Sequence, residues 1–353
     1  MTSPDATTAT WTPLADAHGR VARDLRVSLT DRCNLRCTYC MPAEGMPWIP
    51  GRHLLTDEEI LRLIRIGVER LGIAEVRFTG GEPLLRPGLP DIIAEVAGMR
   101  TVAGERPGIA ATTNAILLPR LADRLAAAGL DRVNISLDTV DRDRYARLTR
   151  RDRLPEVLEG LAAAEAAGLA PIKINAVLLP GINDADAPEL LRFCLHRGYR
   201  LRFIEEMPLG PRGEWDRSRM ITAEDILAML RRDFELRPAT APRGSAPADR
   251  WLVAAGTDRA GRAHPAGEVG VIASVSAPFC GACDRTRLTA DGAVRNCLFA
   301  RRERPLRELL RGGAGDAELA AAWVGEMAIK APGHGIDDPA FLQPDRGMSA
   351  IGG

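Results

Sequence analysis

Asp31-Arg32-Cys33-Asn34-Leu35-Arg36-Cys37-Thr38-Tyr39-Cys40 sets three thiols at the spacing C-x3-C-x2-C. Three is too few to close a structural zinc site or to ligate every iron of a 4Fe–4S cluster, each of which takes four ligands. Three thiolates on such a cluster leave one iron open to a further ligand. The thiols also sit too close together for a disulfide framework, and pairing two of them strands the third. A C-x2-C pair alone reads as readily as zinc or a redox dithiol. The complete triplet ending in Tyr39-Cys40 carries far more information.

Working outward, the triplet follows an apolar-rich run at Leu25–Thr30, the first of six. The others are Glu75–Thr79, Ile109–Asn114, Arg132–Asp138, Ile172–Leu178 and Arg200–Glu206. Helical patterns near Thr56–Leu71, Leu89–Met99, Pro119–Ala128, Leu154–Ala167 and Asp186–Arg197 separate them, and Thr56 with Glu59 reads as a capping box. Alternating strand and helix predicts a parallel sheet with helices outside it. Parallel strands buried on both faces read as continuously apolar. These alternate instead: Val27 and Leu29 oppose Arg26, Ser28 and Thr30, and Val133, Ile135 and Leu137 oppose Asn134, Ser136 and Asp138. Ile172, Ile174 and Ala176 likewise oppose Lys173 and Asn175. One apolar face toward helices and one polar face toward a lumen predict an α/β fold: a partial (β/α)6 TIM-type barrel holding polar ligands. The unusual residues gather at the C-terminal ends of the strands, the rim where barrels carry chemistry. They are the Cys33 loop, Gly80-Gly81-Glu82-Pro83, Thr112-Thr113-Asn114, Ser136-Leu137-Asp138 and Glu205-Glu206-Met207-Pro208.

The 353 residues suffice for one large domain, or one large and one small, and the formal net charge is zero. That balance argues against long-range steering to nucleic acid or to an anionic membrane. Residues 1–20 lack a basic start and an apolar stretch, so a disordered tail is expected and no signal peptide. No uninterrupted apolar run is long enough to cross a bilayer. Seven cysteines without an export signal point to a reducing compartment and a cytoplasmic location. Nearly all basic residues are arginine; lysine occurs only at Lys173 and Lys330.

Residues 21–220 are read as the barrel, and 221–340 as a smaller α+β region covering its open side. That region has a helix at Thr222–Asp233, strand-like runs at Trp251–Ala255 and Val269–Ser276, and helices near Leu306–Arg311 and Asp316–Met327. It carries a second triplet, Cys280, Cys283 and Cys297, at C-x2-C-x13-C. Spacing alone leaves open a zinc site, completed by His264 or Asp284, and a second open cluster. Beside the first triplet, the cluster is the better fit. Arg285 and Arg287 follow directly. They are either a solvated face or anchors for an anion, since guanidinium forks suit phosphate. Residues 341–353 form a tail ending Ile351-Gly352-Gly353.

The first triplet resembles that of radical S-adenosylmethionine enzymes. Together with Asp24-Leu25-Arg26, Arg77-Phe78-Thr79-Gly80-Gly81-Glu82-Pro83, Phe279-Cys280 through Arg287 and the Gly-Gly end, it resembles the GTP 3′,8-cyclases of molybdenum-cofactor biosynthesis, the MoaA family. The resemblance runs from about Arg20 to Gly353. It implies two 4Fe–4S clusters, held by Cys33, Cys37 and Cys40 and by Cys280, Cys283 and Cys297. It implies S-adenosylmethionine contacts from Tyr39, Gly81, Ser136 and Met207, and GTP contacts from Arg26, Arg77, Thr112, Lys173, Arg285, Thr286 and Arg287. The implied reaction removes hydrogen from the ribose 3′-carbon of GTP, which then bonds to guanine C8 to give 3′,8-cyclo-7,8-dihydro-GTP. Gly352 and Gly353 are implied to enter the barrel and complete the site. Further implications are an external electron donor, a downstream cyclic pyranopterin monophosphate synthase that takes the product, and a homodimer. Nucleic acid and membrane are not implied partners.

Each residue also has a bland reading. Tyr39 and Met207 can be core packing, Gly80-Gly81 a bare turn, Ser136 a cap, and Arg26 and Arg77 each one half of an ordinary salt bridge, because a charge on a strand is costly unless paired. Cys194, in an apolar helix, reads as core, and His264 and His334 have no assigned role. Two rivals stand at the level of function. One is another two-cluster radical enzyme such as a peptide maturase; those usually carry more cysteines in the second region and lack the Arg285/Arg287 pair. The other is a zinc-ribbon binding module on a barrel scaffold.

Overall fold

The chain is described by a computed structural model over residues 12–352, in which twelve strands join in one open sheet. Its centre is six parallel strands in chain order: β1 (Asp24–Ser28), β2 (Glu75–Thr79), β3 (Gly108–Thr113), β4 (Arg132–Ser136), β5 (Lys173–Val177) and β6 (Arg200–Ile204). Each ends within two residues of its expected bounds. The helices between them are α1 (Asp57–Arg70), α2 (Leu89–Gly98), α3 (Leu118–Ala128), α4 (Arg142–Thr149), α5 (Leu154–Ala166) and α6 (Ala187–Arg197). The Thr56–Glu59 capping box opens α1 as expected. Helix α4 was not expected. It buries only Tyr145, Leu148 and Thr149 among eight mostly polar residues, too few to mark a period.

The register explains the alternation. Val27, Phe78, Ala111 and Val133 are cross-strand neighbours in one row, and all four are fully buried under the helices. Withdrawing a large apolar side chain from water in this way contributes about 1.5–3 kcal/mol. On the opposite face Arg26 pairs in register with Arg77, Thr112 with Asn134 and Asn134 with Lys173, while Ser136 pairs with Asn175 and Asn175 with Arg202. The lumen is therefore lined by donors and cations.

The second region, expected to cover the open side of the barrel, adds strands to both edges of the sheet. Its strands are β7 (Leu236–Pro238), β8 (Asp249–Val253), β9 (Gly256–Thr257), β10 (Ala263–His264), β11 (Gly267–Ile272), β12 (Arg285–Leu288), β13 (Ala293–Arg295) and β14 (Arg304–Pro305). β11 adds in parallel to β6, followed by β8 and β7; β12 adds in parallel to β1, followed by β13 and β14. Both edges of a six-stranded sheet present unpaired backbone groups, and these strands satisfy them. Helices α7 (Ala223–Leu230), α8 (Arg307–Arg311), α9 (Asp316–Ala328) and α10 (Met348–Ile351) complete the chain.

Residues 1–11 and Gly353 lie outside the described residues. Residues 12–20, expected within the disordered tail, are packed instead. Leu14 is fully buried, Thr12 N–H donates to the Arg70 carbonyl at 3.1 Å, and Arg20 reaches the Cys280 carbonyl at 2.8 Å. Among the described residues no helix is long and apolar enough to cross a membrane.

Candidate active site

The first thiol loop leaves β1 and is clasped by the turn after β2. Gly81 N–H donates to the Thr30 carbonyl and Glu82 N–H to the Arg32 carbonyl, both at 2.8 Å. A Cβ on Gly80, whose φ is +131°, would stand 2.3 Å from the Thr30 oxygen, and one on Gly81 would stand 2.2 Å from the Arg32 oxygen. The glycines are therefore needed so that two loop backbones can touch. Both glycines also border the recess that the thiols line. Glu82 fixes the next turn, accepting from Thr113 Oγ1 at 2.7 Å and from the Asn114 and Leu84 N–H groups. Burial raises its carboxyl to about 7.

Cys33, Cys37 and Cys40 border one recess of about 1100 Å³, counting its open mouth, together with Tyr39, Gly80, Gly81, Thr112, Ser136 and Met207. Burial pushes Cys33 up to about 11 and Cys40 to about 12, with Cys37 well above its ordinary value. Buried thiols of this kind release their protons when a cationic group binds and repays the desolvation. Tyr39 donates its hydroxyl to Asp138 Oδ2 at 2.9 Å, and Asp138 Oδ1 accepts from Val177 N–H, so the triplet is pinned to the ends of β4 and β5. Burial raises Asp138 to about 6.

Cys280, Cys283 and Cys297 border a second recess with Phe279, Arg285, Arg287 and His334. Met207 borders both recesses, so they meet at this side chain. Its loop is anchored by buried Glu205, which accepts from the N–H groups of Ala223, Val275 and Ser276. His264 packs on Phe234 at 4.8 Å, away from this recess, and both ring nitrogens of His334 are engaged, with the Ser274 carbonyl and Ile336 N–H. Among the described residues no three His, Cys, Asp or Glu side chains converge tightly enough for a single metal ion.

The lumen face of the sheet carries a group of cations, of which Arg285 and Arg287 also border the second recess. Because β12 pairs with β1, Arg285 sits opposite Asp24 and Arg287 opposite Arg26. Asp24 Oδ2 lies 3.5 Å from Arg77, 3.8 Å from Arg26 and 3.9 Å from Arg285. Asp24 faces all three guanidinium groups, Glu75 lies 3.8 Å from Arg77 as well, and the three Nε atoms are buried without a hydrogen-bond partner, as is Nε of Arg202. Burial and the neighbouring Arg285 hold Arg26 well below its ordinary pKa; burial and Arg77 take Arg202 to about 9, and burial with Arg202 takes Lys173 to about 8. Unsatisfied, mutually repelling donors in one polar lumen fit a polyanion.

Two expected contacts are arranged otherwise. Thr286 is fully buried on the far face of β12, where its hydroxyl accepts from Trp323 Nε1 at 3.0 Å, so its side chain stays out of the lumen. Arg287 gives Nη1 to the Gly352 carbonyl. That tail is also held by Met348 N–H on the Leu209 carbonyl at 3.0 Å. Gly352 has φ +71°, and a Cβ there would stand 2.1 Å from Thr79 Oγ1 and 2.6 Å from Ser28 Oγ. Arg202, Asp24 and Asn134 were missed as site residues. Arg202 donates to Asn134 Oδ1 at 2.9 Å, and period two along β6 already put it on the lumen face. Cys194 is core, as expected.

The Radical SAM superfamily model matches residues 27–194, and the Molybdenum Cofactor Synthesis C model matches residues 199–336. The chain is 60% identical over 342 residues to a GTP 3′,8-cyclase of Corynebacterium glutamicum, spanning 96% of this chain and 89% of that one. It is 60% identical over 341 residues to a GTP 3′,8-cyclase of Mycolicibacterium smegmatis, spanning 97% and 92%. A solved structure of Streptococcus suis SuiB bound to S-adenosylmethionine shares the fold, with a TM-score of 0.56 at 15% identity, over 86% of this chain and 68% of that one.

Proposed function

The chain belongs to the GTP 3′,8-cyclases of the radical S-adenosylmethionine superfamily, which convert GTP to 3′,8-cyclo-7,8-dihydro-GTP at the start of molybdenum-cofactor biosynthesis, and from that premise we propose how its residues share the work. Cys33, Cys37 and Cys40 hold one 4Fe–4S cluster; Tyr39, Gly81, Ser136 and Met207 surround S-adenosylmethionine. Cys280, Cys283 and Cys297 hold a second cluster beside the guanine. When bound, a reduced cluster and S-adenosylmethionine supply one-electron chemistry for which no side chain substitutes.

The residues supply position, charge and shelter. Arg26, Arg77, Arg285, Lys173 and Arg202 take the triphosphate, with Thr112 beside them. The observation that carries this reading is the set of buried guanidinium groups around Asp24, whose Nε atoms lack hydrogen-bond partners. Arg287 acts through the tail, fixing Gly352 where β1 and β2 end. Gly353 is proposed to act with Gly352. Holding the ribose beneath this plug fixes its orientation and excludes water. Thr286 contributes through its backbone at most. An external one-electron donor, delivery of the product to a cyclic pyranopterin monophosphate synthase and a homodimeric assembly complete the proposal.

The direct test is anaerobic reconstitution, then incubation with S-adenosylmethionine, reductant and each nucleoside triphosphate. Cyclised product from GTP alone is expected; product from another nucleotide overturns the assignment. Losing one charged contact costs about 1.5–3 kcal/mol, so Arg26→Ala is expected to weaken GTP binding about tenfold or more. Arg287→Ala is expected to lose more product formation than GTP affinity; equal losses by calorimetry and turnover place Arg287 on the triphosphate instead.

The lysine makes a pH prediction. Its free-enzyme pKa is lowered to about 8, and a bound triphosphate raises it. A group whose pKa rises on binding contributes full affinity below its free value and loses it as pH climbs past that value. GTP affinity is therefore expected to fall between about pH 8 and the bound-state pKa. Lys173→Met should remove that slope; an unchanged slope in the variant assigns it to another group.

A further inference from the structure

Lys330, the chain's other lysine, is 4% exposed and lies behind the second thiol loop. Its ammonium donates to the Arg285 carbonyl at 3.0 Å, the Cys283 carbonyl at 3.3 Å and Cys283 Sγ at 3.4 Å. Those contacts use all three of its protons, and none goes to a carboxylate. Isolated ammonium in a protein interior is costly, so its position calls for a compensating negative charge nearby. The sulfur of Cys283 is the acceptor able to carry one.

Residues 330–334 form a strap behind the second thiol loop, touching it through Lys330 on Cys283. Arg20 staples the strap, donating to the carbonyls of Lys330, Ala331 and Pro332 and, from the same guanidinium, to the Cys280 carbonyl at 2.8 Å. Arg20 is itself oriented by Asp16 at 2.5 Å.

We propose that Lys330 is a positioning residue of the second cluster, orienting Cys283 and placing a buried positive charge against its sulfur so that the cluster is held and reduced more readily. This rests on the reading of Cys280, Cys283 and Cys297 as cluster ligands. Hydrogen bonds and charge at cluster sulfurs set reduction potential, and outer contacts of this kind orient the ligands themselves. Removing a positive charge destabilises the reduced, more negative form, so the potential falls.

The test uses full-length protein in which Cys33, Cys37 and Cys40 are replaced by Ala, leaving only the second cluster. Its potential is read by redox titration followed by electron paramagnetic resonance, for Lys330 intact, Lys330→Gln and Lys330→Met. The expected order is a potential shifted to more negative values in Lys330→Gln and further in Lys330→Met, with faster iron loss to a chelator in the same order. The same substitutions with the first triplet intact should keep the iron of that cluster, which reports a folded chain. Equal potentials and equal chelation rates in all three overturn the inference. Absence of iron in the Lys330-intact background overturns the second-cluster reading itself, and this inference with it.

Discussion

Gly352→Ala is expected to abolish the cyclised product, with a loss of about 100-fold or more, while both clusters stay loaded and GTP still binds. The reason is local and steric. An L-residue at φ +71° is strained, and the added methyl would overlap Thr79 Oγ1 at 2.1 Å and Ser28 Oγ at 2.6 Å. Neither hydroxyl sits on a movable surface side chain; both belong to buried strand ends. The tail must therefore withdraw, releasing Arg287 and opening the lumen to water. A displacement of about 1 Å at a reacting centre is enough for a loss of that size. Deleting Gly352 and Gly353 should act alike. Iron analysis, GTP calorimetry and product chromatography separate the cases, and normal turnover in the truncated chain would make the tail a bystander.

Replacing Cys33, Cys37 and Cys40 together by Ala is expected to remove about half the iron and all cleavage of S-adenosylmethionine. Replacing Cys280, Cys283 and Cys297 should also remove about half, yet leave some cleavage uncoupled from GTP. The asymmetry follows from the two recesses: only the first is bordered by Tyr39, Gly81 and Ser136. About four irons per unmodified chain, one cluster's worth, would sink the two-cluster reading.

Much of this site is legible along the chain because strands alternate with period two. That rule put Arg26, Ser136 and Lys173 on the lumen face, and the register agrees. Applied more strictly it separates Thr286 from Arg285 and Arg287, and it adds Arg202. What it cannot supply is which strand lies beside which. Nothing near Arg285 announces that β12 pairs with β1, so the convergence of Arg285, Arg26 and Arg77 on Asp24 is a property of the fold alone. The role of Gly80-Gly81 was hidden for a similar reason: the atoms that forbid a side chain there belong to Thr30 and Arg32, far away in sequence.

The pairing of β12 with β1 also governs when this protein can exist. Cys280, at the head of that second loop, is 260 residues from the Arg20 side chain that holds it. A growing chain that has emitted all six barrel strands still shows naked margins along β1 and β6, and the β1 margin stays bare until Arg285–Leu288 have been made. Contacts so distant in sequence form slowly, and bare strand margins recruit other chains. Ribosome-bound intermediates ending before Arg285 are therefore expected to need chaperone protection, and iron delivery to the second loop must wait until Cys297 has emerged.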